Sequence, residues 1–471
     1  MSIRHYFCLL LLASSLVACG KEPPQPVETT PPVILYDDMG ARDMSTAGED
    51  MSSSQDLDTR VDLGGDIEDM SEDMSEDMAP ADPCDAITCV HGGRCQQGAC
   101  VCALGRGGER CQTRCALAFS GAGEPVPAFL YGATLDDVLW NDPTILGDDS
   151  SGYVMWLSGG IARASVTDHK VRLYRATSPD GLTWNLDSAP VFVPGEEGAW
   201  DSVKVETPSV VRDKNGLYHL YYSGTDREEP AGVYAIGHAT SMDGITWTRD
   251  PANPVITTAT GSDWGVYTVA EPGALYDASA DEIKLYYVSA GGSADVRGQF
   301  AILLATSEDG SSFTHHTDAS GNREPVWSLS EAYIEDDTYG FRGLSTPAVA
   351  QAADGVIYLA HDVVQWPKYP DDPDRDPDPN GFEQDSISLA ASEDGISFEE
   401  VAVDIVAREP GQWYEREVRA PAIVLDGEGR ARLWFAAGED LVVTGTPPDY
   451  IDWSEHTESF GVVEVSTACE R

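Results

Sequence analysis

Short apolar runs rich in aromatic and β-branched residues recur along the chain beyond Cys115. They read YVMWLSGG, LYHLYYSG, IKLYYVSAG, VIYLAHD and RLWFAAG. Such runs, bounded by small or polar residues, are typical of β-strands. The first four precede ATSPDGLTW, ATSMDGITW, ATSEDGSSF and AASEDGISF, in which Asp-Gly joins two apolar segments. Asp-Gly favours a hairpin because both residues tolerate positive φ. The pattern therefore predicts an all-β chain built from repeated hairpins.

A strand with a proline near its start opens each repeat. These strands read DPTIL, TPSVV, EPGAL, TPAVA and APAIV, and their prolines are 65, 64, 75 and 74 residues apart, at Pro143, Pro208, Pro272, Pro347 and Pro421. Four strands at such a period form one blade of a β-propeller. Five openings predict a five-bladed β-propeller. The last unit, ending FGVVEVSTACER, lacks an Asp-Gly hairpin, so we expect the stretch between Cys115 and Trp140 to supply its outer strand and close the ring.

The N-terminus carries an apolar run, Phe7 to Ala13, that is too short to cross a membrane and ends in LVACG. This segment resembles a bacterial lipoprotein signal. The resemblance implies cleavage after residue 18, acylation of Cys19, loss of Cys8 and, because Gly20 follows, an outer-membrane lipoprotein. Such a protein is anchored to the membrane and does not span it. An ordinary secretory signal with a chance cysteine is the alternative.

An acidic segment follows the signal. Between Tyr36 and Asp82 there are 16 acidic residues against two arginines, within a chain of net charge −51. A segment with so little apolar surface cannot offset its ordering entropy, so residues 19–82 are predicted to form a disordered tether. The overall charge excludes a surface made for nucleic acid or anionic lipid.

Six cysteines lie close together in residues 83–114. In an exported chain such spacing indicates a disulfide framework, for which 15 connectivities are possible, and zinc binding is the weaker alternative. The segment CDAITCVHGGRCQQGACVCALGRGGERC closely resembles an EGF-like domain. The resemblance implies pairing of the first cysteine with the third, the second with the fourth and the fifth with the sixth. The cysteines concerned are Cys84, Cys89, Cys95, Cys100, Cys102 and Cys111. A rigid spacer and a dedicated binding module both remain possible roles.

Two further cysteines, Cys115 and Cys469, stand at the two ends of the predicted propeller, residues 115–471. We expect them to form a disulfide across the ring closure. Closing so long a loop stabilises a fold by about 4–5 kcal/mol in the chain-entropy description.

The residues just before each opening proline are the natural rim of a site. Proline lacks an N–H and suits the start of a strand, and the innermost strand of each blade lines the central channel. These positions hold Asn141-Asp142, Glu206-Thr207, Ala270-Glu271, Ser345-Thr346 and Arg419-Ala420. Blades 1 to 3 therefore each contribute one carboxylate to the rim.

Five blades with acids on the first three inner strands resemble the superfamily of arabinanases, xylosidases, invertases and levansucrases, and the step Trp140-Asn141-Asp142-Pro143 resembles the invertase type. The resemblance implies that Asp142 is the nucleophile or general base and that Glu271 is the general acid. Glu206 then takes the second-blade place, whose residue orients the sugar and adjusts the acid's pKa. In the family the third-blade acid stands two residues before its proline and the second-blade acid one, the reverse of this chain. Which of Glu206 and Glu271 is the acid therefore stays open, because a one-residue shift turns a strand side chain to the other face.

The chemistry needs one protonated carboxyl and one carboxylate, because the leaving oxygen must be protonated while the anomeric carbon is attacked. Arg419 and Asn141 are expected to bind substrate, and aromatic rings are expected to stack on sugar faces; these rings are Trp140, Trp200, Trp264 and Trp413. The predicted function is hydrolysis of a glycan by a monomeric enzyme that needs no cofactor. Glycan binding without catalysis is the alternative.

Three further features of the sequence are not assigned a catalytic role. The SxDGxxW repeats resemble the sialidase Asp-box but are one residue short, so their aspartates are interpreted as turn residues. His361 lies where arabinanase-type relatives place a histidine near calcium, although a structural role is favoured. The acidic insertion from Tyr369 to Asp385 leaves a structural calcium open, without EF-hand spacing.

Overall fold

The structure, a computed structural model, describes residues 83–121, 138–161, 171–227, 233–259, 262–291, 299–329, 339–367, 383–426, 429–438, 442–443, 451–452 and 458–469. Within these ranges the secondary structure is all β. Among the same residues there is no helix with the length and apolarity that a membrane crossing requires. The predicted signal, the acylated Cys19, the tether and most of the insertion from Tyr369 to Asp385 lie outside the described residues.

The cysteine-rich segment forms a small module held by three disulfides. They join Cys84 to Cys95, Cys89 to Cys100 and Cys102 to Cys111. This confirms the pairing that the EGF-like resemblance implies. The module contains two short antiparallel pairs, made of β1 (Arg94–Gln96) with β2 (Ala99–Val101) and β3 (Arg106–Gly107) with β4 (Thr113–Arg114).

The rest of the chain builds five antiparallel units. The strand β5 (Ala116–Gly121) comes first in the sequence and belongs to the last unit. Blade 1 contains β6 (Val138–Asp148), β7 (Gly152–Ile161), β8 (Arg172–Ser178) and β9 (Asn185–Leu186). Blade 2 contains β10 (Lys204–Arg212), β11 (Tyr218–Thr225), β12 (Ala235–Ser241) and β13 (Thr248–Arg249).

Blade 3 contains β14 (Trp264–Asp277), β15 (Glu282–Gly291) and β16 (Gln299–Ser307), with β17 (Thr314–His315) and β18 (Pro325–Trp327) both pairing with β16. Blade 4 contains β19 (Tyr339–Gln351), β20 (Ile357–Pro367), β21 (Glu383–Ser392) and β22 (Glu399–Ala407). A short parallel pairing between β16 and β19 joins these two blades into one sheet.

Blade 5 is built from both ends of the described chain. Its strands are β23 (Glu417–Leu425), β24 (Ala431–Gly438), β27 (Glu458–Ala468) and β5, and the small pair β25 (Val442–Val443) and β26 (Ile451–Asp452) stands apart. In the ladder Ala468 is opposite Ala116, and the adjacent Cys115 and Cys469 form a disulfide. Both the predicted outer strand and the predicted bridge are confirmed.

The first strand of each blade lines a common central cavity of about 340 Å³. The lining includes all five opening prolines, Pro143, Pro208, Pro272, Pro347 and Pro421, with the residues that follow each of them. Each blade therefore presents the same end of its inner strand to the channel. This is the predicted five-bladed β-propeller.

The Asp-Gly hairpins join neighbouring blades. In blade 1 the Asp180 carboxylate accepts the amides of Leu182 and Thr183, which confirms a turn role for this residue, and Asp243, Asp309 and Asp394 repeat the pattern. The hairpin glycine accepts a hydrogen bond from a ring in the preceding blade. The donor–acceptor pairs are Trp434 with Gly181, Trp156 with Gly244, Tyr221 with Gly310 and Tyr286 with Gly395.

Blade 5 lacks this hairpin, and the cysteine module takes its place. The Tyr358 hydroxyl of blade 4 donates to the Leu104 carbonyl of the module at 2.9 Å. The amide of Gly105 donates to Thr467 Oγ1 at 2.9 Å, and Arg106 pairs with the buried Asp354 at 2.8 Å. The module is therefore packed into the propeller at the junction of blades 4 and 5.

Loss of the closing disulfide is expected to destabilise the whole propeller. A Cys115→Ser, Cys469→Ser double variant should lose about 3–5 kcal/mol of unfolding free energy, because the bridge closes a loop with a sequence separation of 354 residues. Urea denaturation followed by tryptophan fluorescence measures this loss. A Cys84→Ser, Cys95→Ser control opens a loop of separation 11 and should cost less. If the Cys115→Ser, Cys469→Ser variant lost no more unfolding free energy than this control, the result would contradict stabilisation of the ring by the bridge.

The Tyr358 bond is expected to hold the module on the propeller. Tyr358→Phe removes the hydroxyl that donates to the Leu104 carbonyl, which costs about 1 kcal/mol. Hydrogen exchange should accelerate at module amides. Tyr286→Phe is the matched control, because it removes the equivalent bond to Gly395 between blades 3 and 4. Tyr286→Phe should leave exchange at the module amides unchanged. If Tyr358→Phe also left it unchanged, the module would be held on the propeller by other contacts.

Candidate active site

The residue directly before each opening proline has the same unusual backbone conformation. Its φ is positive in all five blades, at 51° for Asp142, 49° for Thr207, 52° for Glu271, 40° for Thr346 and 49° for Ala420. At each of these places the ladder register shifts, so that the inner strand carries an extra residue. Non-glycine residues rarely adopt positive φ, and such strain persists only where the surroundings enforce it. Because Thr207 and Ala420 share it, the conformation belongs to the blade architecture.

These bulges show which of the candidate acids occupy equivalent backbone places. Asp142 and Glu271 occupy the same place in their blades. Glu206 occupies the preceding place, together with Asn141 and Arg419. The two carboxylates directly before proline are therefore structurally equivalent, whereas Glu206 lies one residue earlier in its strand.

Side chains from the preceding blade accept hydrogen bonds from the bulge amides. The amide of Thr207 donates to Ser158 Oγ at 2.9 Å, and that of Glu271 donates to Ser223 Oγ at 2.8 Å. Further round the ring, the amide of Ala420 donates to Asp362 Oδ2 at 3.3 Å. In blade 3 the equivalent second-strand place holds Val288, which cannot accept. The Glu271 carboxylate supplies the missing acceptor.

Glu271 is deeply buried directly before Pro272, which lines the channel, and 5% of its surface is exposed. Its Oε2 accepts the Ser345 hydroxyl at 2.5 Å and the Thr346 amide at 2.9 Å. Burial, followed by repulsion from Asp362 and Asp142, raises the pKa of Glu271 to about 8, although the two hydrogen bonds act in the opposite direction. Glu271 is therefore protonated at neutral pH, the state that a general acid requires.

Asp362, on the second strand of blade 4, is a buried carboxylate that the sequence analysis did not select. It accepts hydrogen bonds from the Thr346 hydroxyl at 2.9 Å and from Gln384 Nε2 at 2.8 Å. Burial raises its pKa to about 6, while these donors and the charge of Arg419 lower it. A signal existed in the sequence, because Asp362 ends VIYLAHD where the equivalent runs carry Ser158 and Ser223.

Asp142 is only partly buried, in contrast to Glu271. Repulsion from Asp142 contributes to the raised pKa of Glu271, so the two carboxyls lie within electrostatic range of each other. The neighbouring Asn141 is buried, and its Oδ1 has no hydrogen-bond partner among the described residues. An accessible carboxylate beside a buried, protonated carboxyl provides the pair that glycosidic bond cleavage needs.

Glu206 and Arg419 are both buried on inner strands. Glu206 lies opposite Ser223 in the blade 2 ladder. Arg419 is fully buried, and its Nη2 lies 3.1 Å from Glu417 Oε1. Its charge also acts on Asp362. The structure therefore places Arg419 within a buried charge network, whereas the sequence analysis expected it on a substrate-facing surface.

The four tryptophans predicted to stack on sugar rings all pack against other side chains of the blades, and Trp200 and Trp413 are only partly buried. Trp140 packs edge-on against Tyr174 in the blade 1 core, and Trp264 is buried in the core of blade 3. Trp200 stacks on Tyr222, and Trp413 stacks on Phe435. Glycines make room for these rings, since a Cβ at Gly224 would lie 2.6 Å from the Trp200 ring. The rings at this spacing pack the blades.

His361 is buried and lines a second cavity, of about 610 Å³, together with Trp327 and Ser388. Its Nδ1 lies 3.3 Å from the Asp362 carbonyl oxygen, and burial lowers its pKa to about 4. Among the described residues no group of three or more histidine, cysteine or acidic side chains is arranged to hold a metal ion.

Comparisons with known proteins agree with the fold. No protein-family model and no curated protein matches the chain. A solved structure described as "Glycoside hydrolase" is 13% identical, with a TM-score of 0.52, and the match covers 73% of this chain and 91% of that one. Another, a complex of BT0996 with RGII, is 13% identical, with a TM-score of 0.50 and coverage of 74% and 92%. At this identity the likeness shows a shared fold, and glycoside hydrolases are among the proteins that have it.

Proposed function

We propose that this chain is a glycoside hydrolase whose active site lies at the mouth of the propeller channel. The observation that carries the proposal is the pair Asp142 and Glu271. They stand at equivalent bulges of blades 1 and 3, they interact electrostatically, and they differ in burial. Glycosidases need this division between a protonated and an ionised carboxyl.

In the proposed reaction Glu271 donates its proton to the glycosidic oxygen as the bond to the anomeric carbon breaks. Asp142 either removes a proton from the water that attacks that carbon, or attacks the carbon itself to form a glycosyl ester. Water then cleaves the ester and gives its proton to the ionised Glu271, so that water is added across the glycosidic bond in either case. In the first case Glu271 then regains a proton. Burial of Glu271 keeps it protonated until substrate is bound, and the partial exposure of Asp142 leaves its carboxylate accessible to substrate.

Glu206 is proposed to orient substrate or Asp142. In blade 4, the residue two places before proline, Ser345, reaches the carboxylate of Glu271 in blade 3. The same relation between blades 2 and 1 would bring Glu206 beside Asp142. Arg419 would then act from the opposite side through Asp362, and Asn141 would offer its Oδ1 to a sugar hydroxyl.

A non-catalytic glycan-binding propeller is the second candidate, and one observation favours it. The Glu271 carboxyl satisfies the Thr346 amide where Val288 cannot, so its burial has a structural reason as well. Fold similarity does not decide between the two functions.

Turnover on a glycan panel separates the two candidates. The full-length chain is incubated with aryl glycosides and with plant and microbial polysaccharides, and new reducing ends and retained glycan are both measured. New reducing ends that disappear in Asp142→Asn support the hydrolase. Retention of a glycan without new reducing ends, unaffected by Asp142→Asn, would replace it with the binding function.

We further propose that the protein acts at the cell envelope. The N-terminal LVACG segment supports acylation of Cys19, and the acidic residues up to Asp82 support a solvated spacer between the lipid and the folded part. An outer-membrane location would give the active site access to extended glycans.

A further inference from the structure

Thr346 joins two buried carboxyls from neighbouring blades. Its amide donates to Glu271 Oε2 at 2.9 Å, and its hydroxyl donates to Asp362 Oδ1 at 2.9 Å. The positive φ of Thr346, 40°, is the bulge conformation from which both bonds are made. Thr346 therefore links the proposed general acid in blade 3 to Asp362 in blade 4.

Asp362 is fixed from three sides. Thr346 donates to Oδ1, while Gln384 Nε2 and the Ala420 amide donate to Oδ2 at 2.8 Å and 3.3 Å. A carboxylate with three donors holds its negative charge in one place, even in a buried site. No part of its surface is exposed, so water does not screen that charge.

We propose that Asp362 is a positioning residue of the general acid: through Thr346 it holds the Glu271 carboxyl in place, and its fixed charge favours the protonated form of Glu271. The inference rests on the proposed glycosidase function for its catalytic meaning. The residue that adjusts the pKa of the general acid would then lie in the fourth blade, whereas the family resemblance implies the second.

Other charged groups face the same site from the remaining blades. Asp142 of blade 1 also disfavours the ionised form of Glu271, but repulsion from Asp362 is the larger effect, after burial itself. Arg419 of blade 5 opposes Asp362 and is balanced by Glu417 at 3.1 Å. Burial keeps His361 of blade 4 neutral. Glu206 of blade 2 stands two residues before its proline, whereas Glu271 stands directly before its own.

The test compares the titration of Glu271 with and without the Asp362 charge. The difference in unfolding temperature between wild type and Glu271→Gln is measured from pH 5 to 9, and again in the Asp362→Asn background. Asparagine retains the shape and accepts from Gln384 and Ala420. We expect the Glu271 transition to move down by about one pH unit or more in Asp362→Asn. The basic limb of kcat/KM should move by the same amount.

Three further variants separate charge from position. Thr346→Val removes the hydroxyl link and, like Gln384→Met, one donor to Asp362, so the basic limb should move down in both variants. Only Thr346→Val breaks the link to Glu271, so its kcat at the pH optimum should fall about tenfold or more below that of Gln384→Met, and Thr346→Ser should restore kcat. Gln384→Met removes one donor to Asp362, so Asp362 stays protonated to higher pH. Gln384→Met should therefore move the Glu271 transition to lower pH, as Asp362→Asn does, but by less. If Asp362→Asn does not fold, Gln384→Met is used in its place.

An unchanged Glu271 transition in both Asp362→Asn and Gln384→Met would overturn the proposal. The stability measurement needs no substrate. Absence of turnover in the wild type would count against the glycosidase function, whereas the Glu271 transition would still show whether Asp362 controls that carboxyl.

Discussion

Asp142→Asn is expected to lower kcat on glycan substrates by about 10²–10⁴-fold while the protein remains folded. The amide has nearly the same shape but neither attacks the anomeric carbon nor accepts a proton from water. Asp142 is partly exposed, so its neutralisation should change the unfolding temperature little. Initial-rate kinetics and thermal unfolding measure the two quantities.

Asp180→Asn is the matched control in the same blade. Its carboxylate accepts the amides of Leu182 and Thr183 within the outer hairpin, away from the channel. This variant should lose stability and retain activity, the reverse of Asp142→Asn. Equal activity in both variants would remove Asp142 from the reaction.

Glu271→Gln is expected to abolish cleavage of natural glycans but to spare aryl glycosides with good leaving groups. The glutamine oxygen still accepts from Ser345 and the Thr346 amide, so the fold is preserved, but no proton reaches the leaving oxygen. A dinitrophenolate needs no proton, and its release should fall less than tenfold, against about 10²–10⁴-fold for unactivated glycans. Equal losses on both substrate types would assign Glu271 a role other than acid catalysis.

The same substitution should change how stability depends on pH. The folded-state pKa of Glu271, about 8, lies above its ordinary value of 4.5. Its contribution to stability is therefore fully present below about pH 4.5 and is lost as pH rises through 8. Glu271→Gln should become more stable relative to wild type across this window. The stability of Glu271→Gln must be compared with that of wild type at each pH, because other groups also titrate. Burial lowers the pKa of His219 to about 4, so His219 makes both proteins more stable as the pH rises from 4 to 6.5.

The propeller was predictable because its signals are local and repeated. Asp-Gly marks each hairpin, a proline marks each inner strand, and the unmatched pair Cys115 and Cys469 indicates where the ring closes. The module's place at blade 5 was not predictable. It depends on Tyr358 meeting Leu104 across 254 residues, which no local pattern encodes.

The site was predictable in part. Asp142 and Glu271 were selected by their adjacency to proline, but their equivalence depends on a bulge with positive φ that the sequence does not reveal. Asp362 was not predictable from acids next to inner-strand prolines, because it lies on the second strand of its blade. The role of the tryptophans was not predictable either, because rings that stack on sugars and rings that pack over glycines leave the same aromatic pattern in the sequence.

Cleavage in H₂¹⁸O tests the central claim most directly. The full-length chain is incubated with each glycan that it retains, and the products are examined by mass spectrometry. For wild type we expect one ¹⁸O atom in the newly formed reducing end for each bond broken, and no labelled product with Asp142→Asn. Retention of glycans by wild type without any labelled product would contradict hydrolysis at this site.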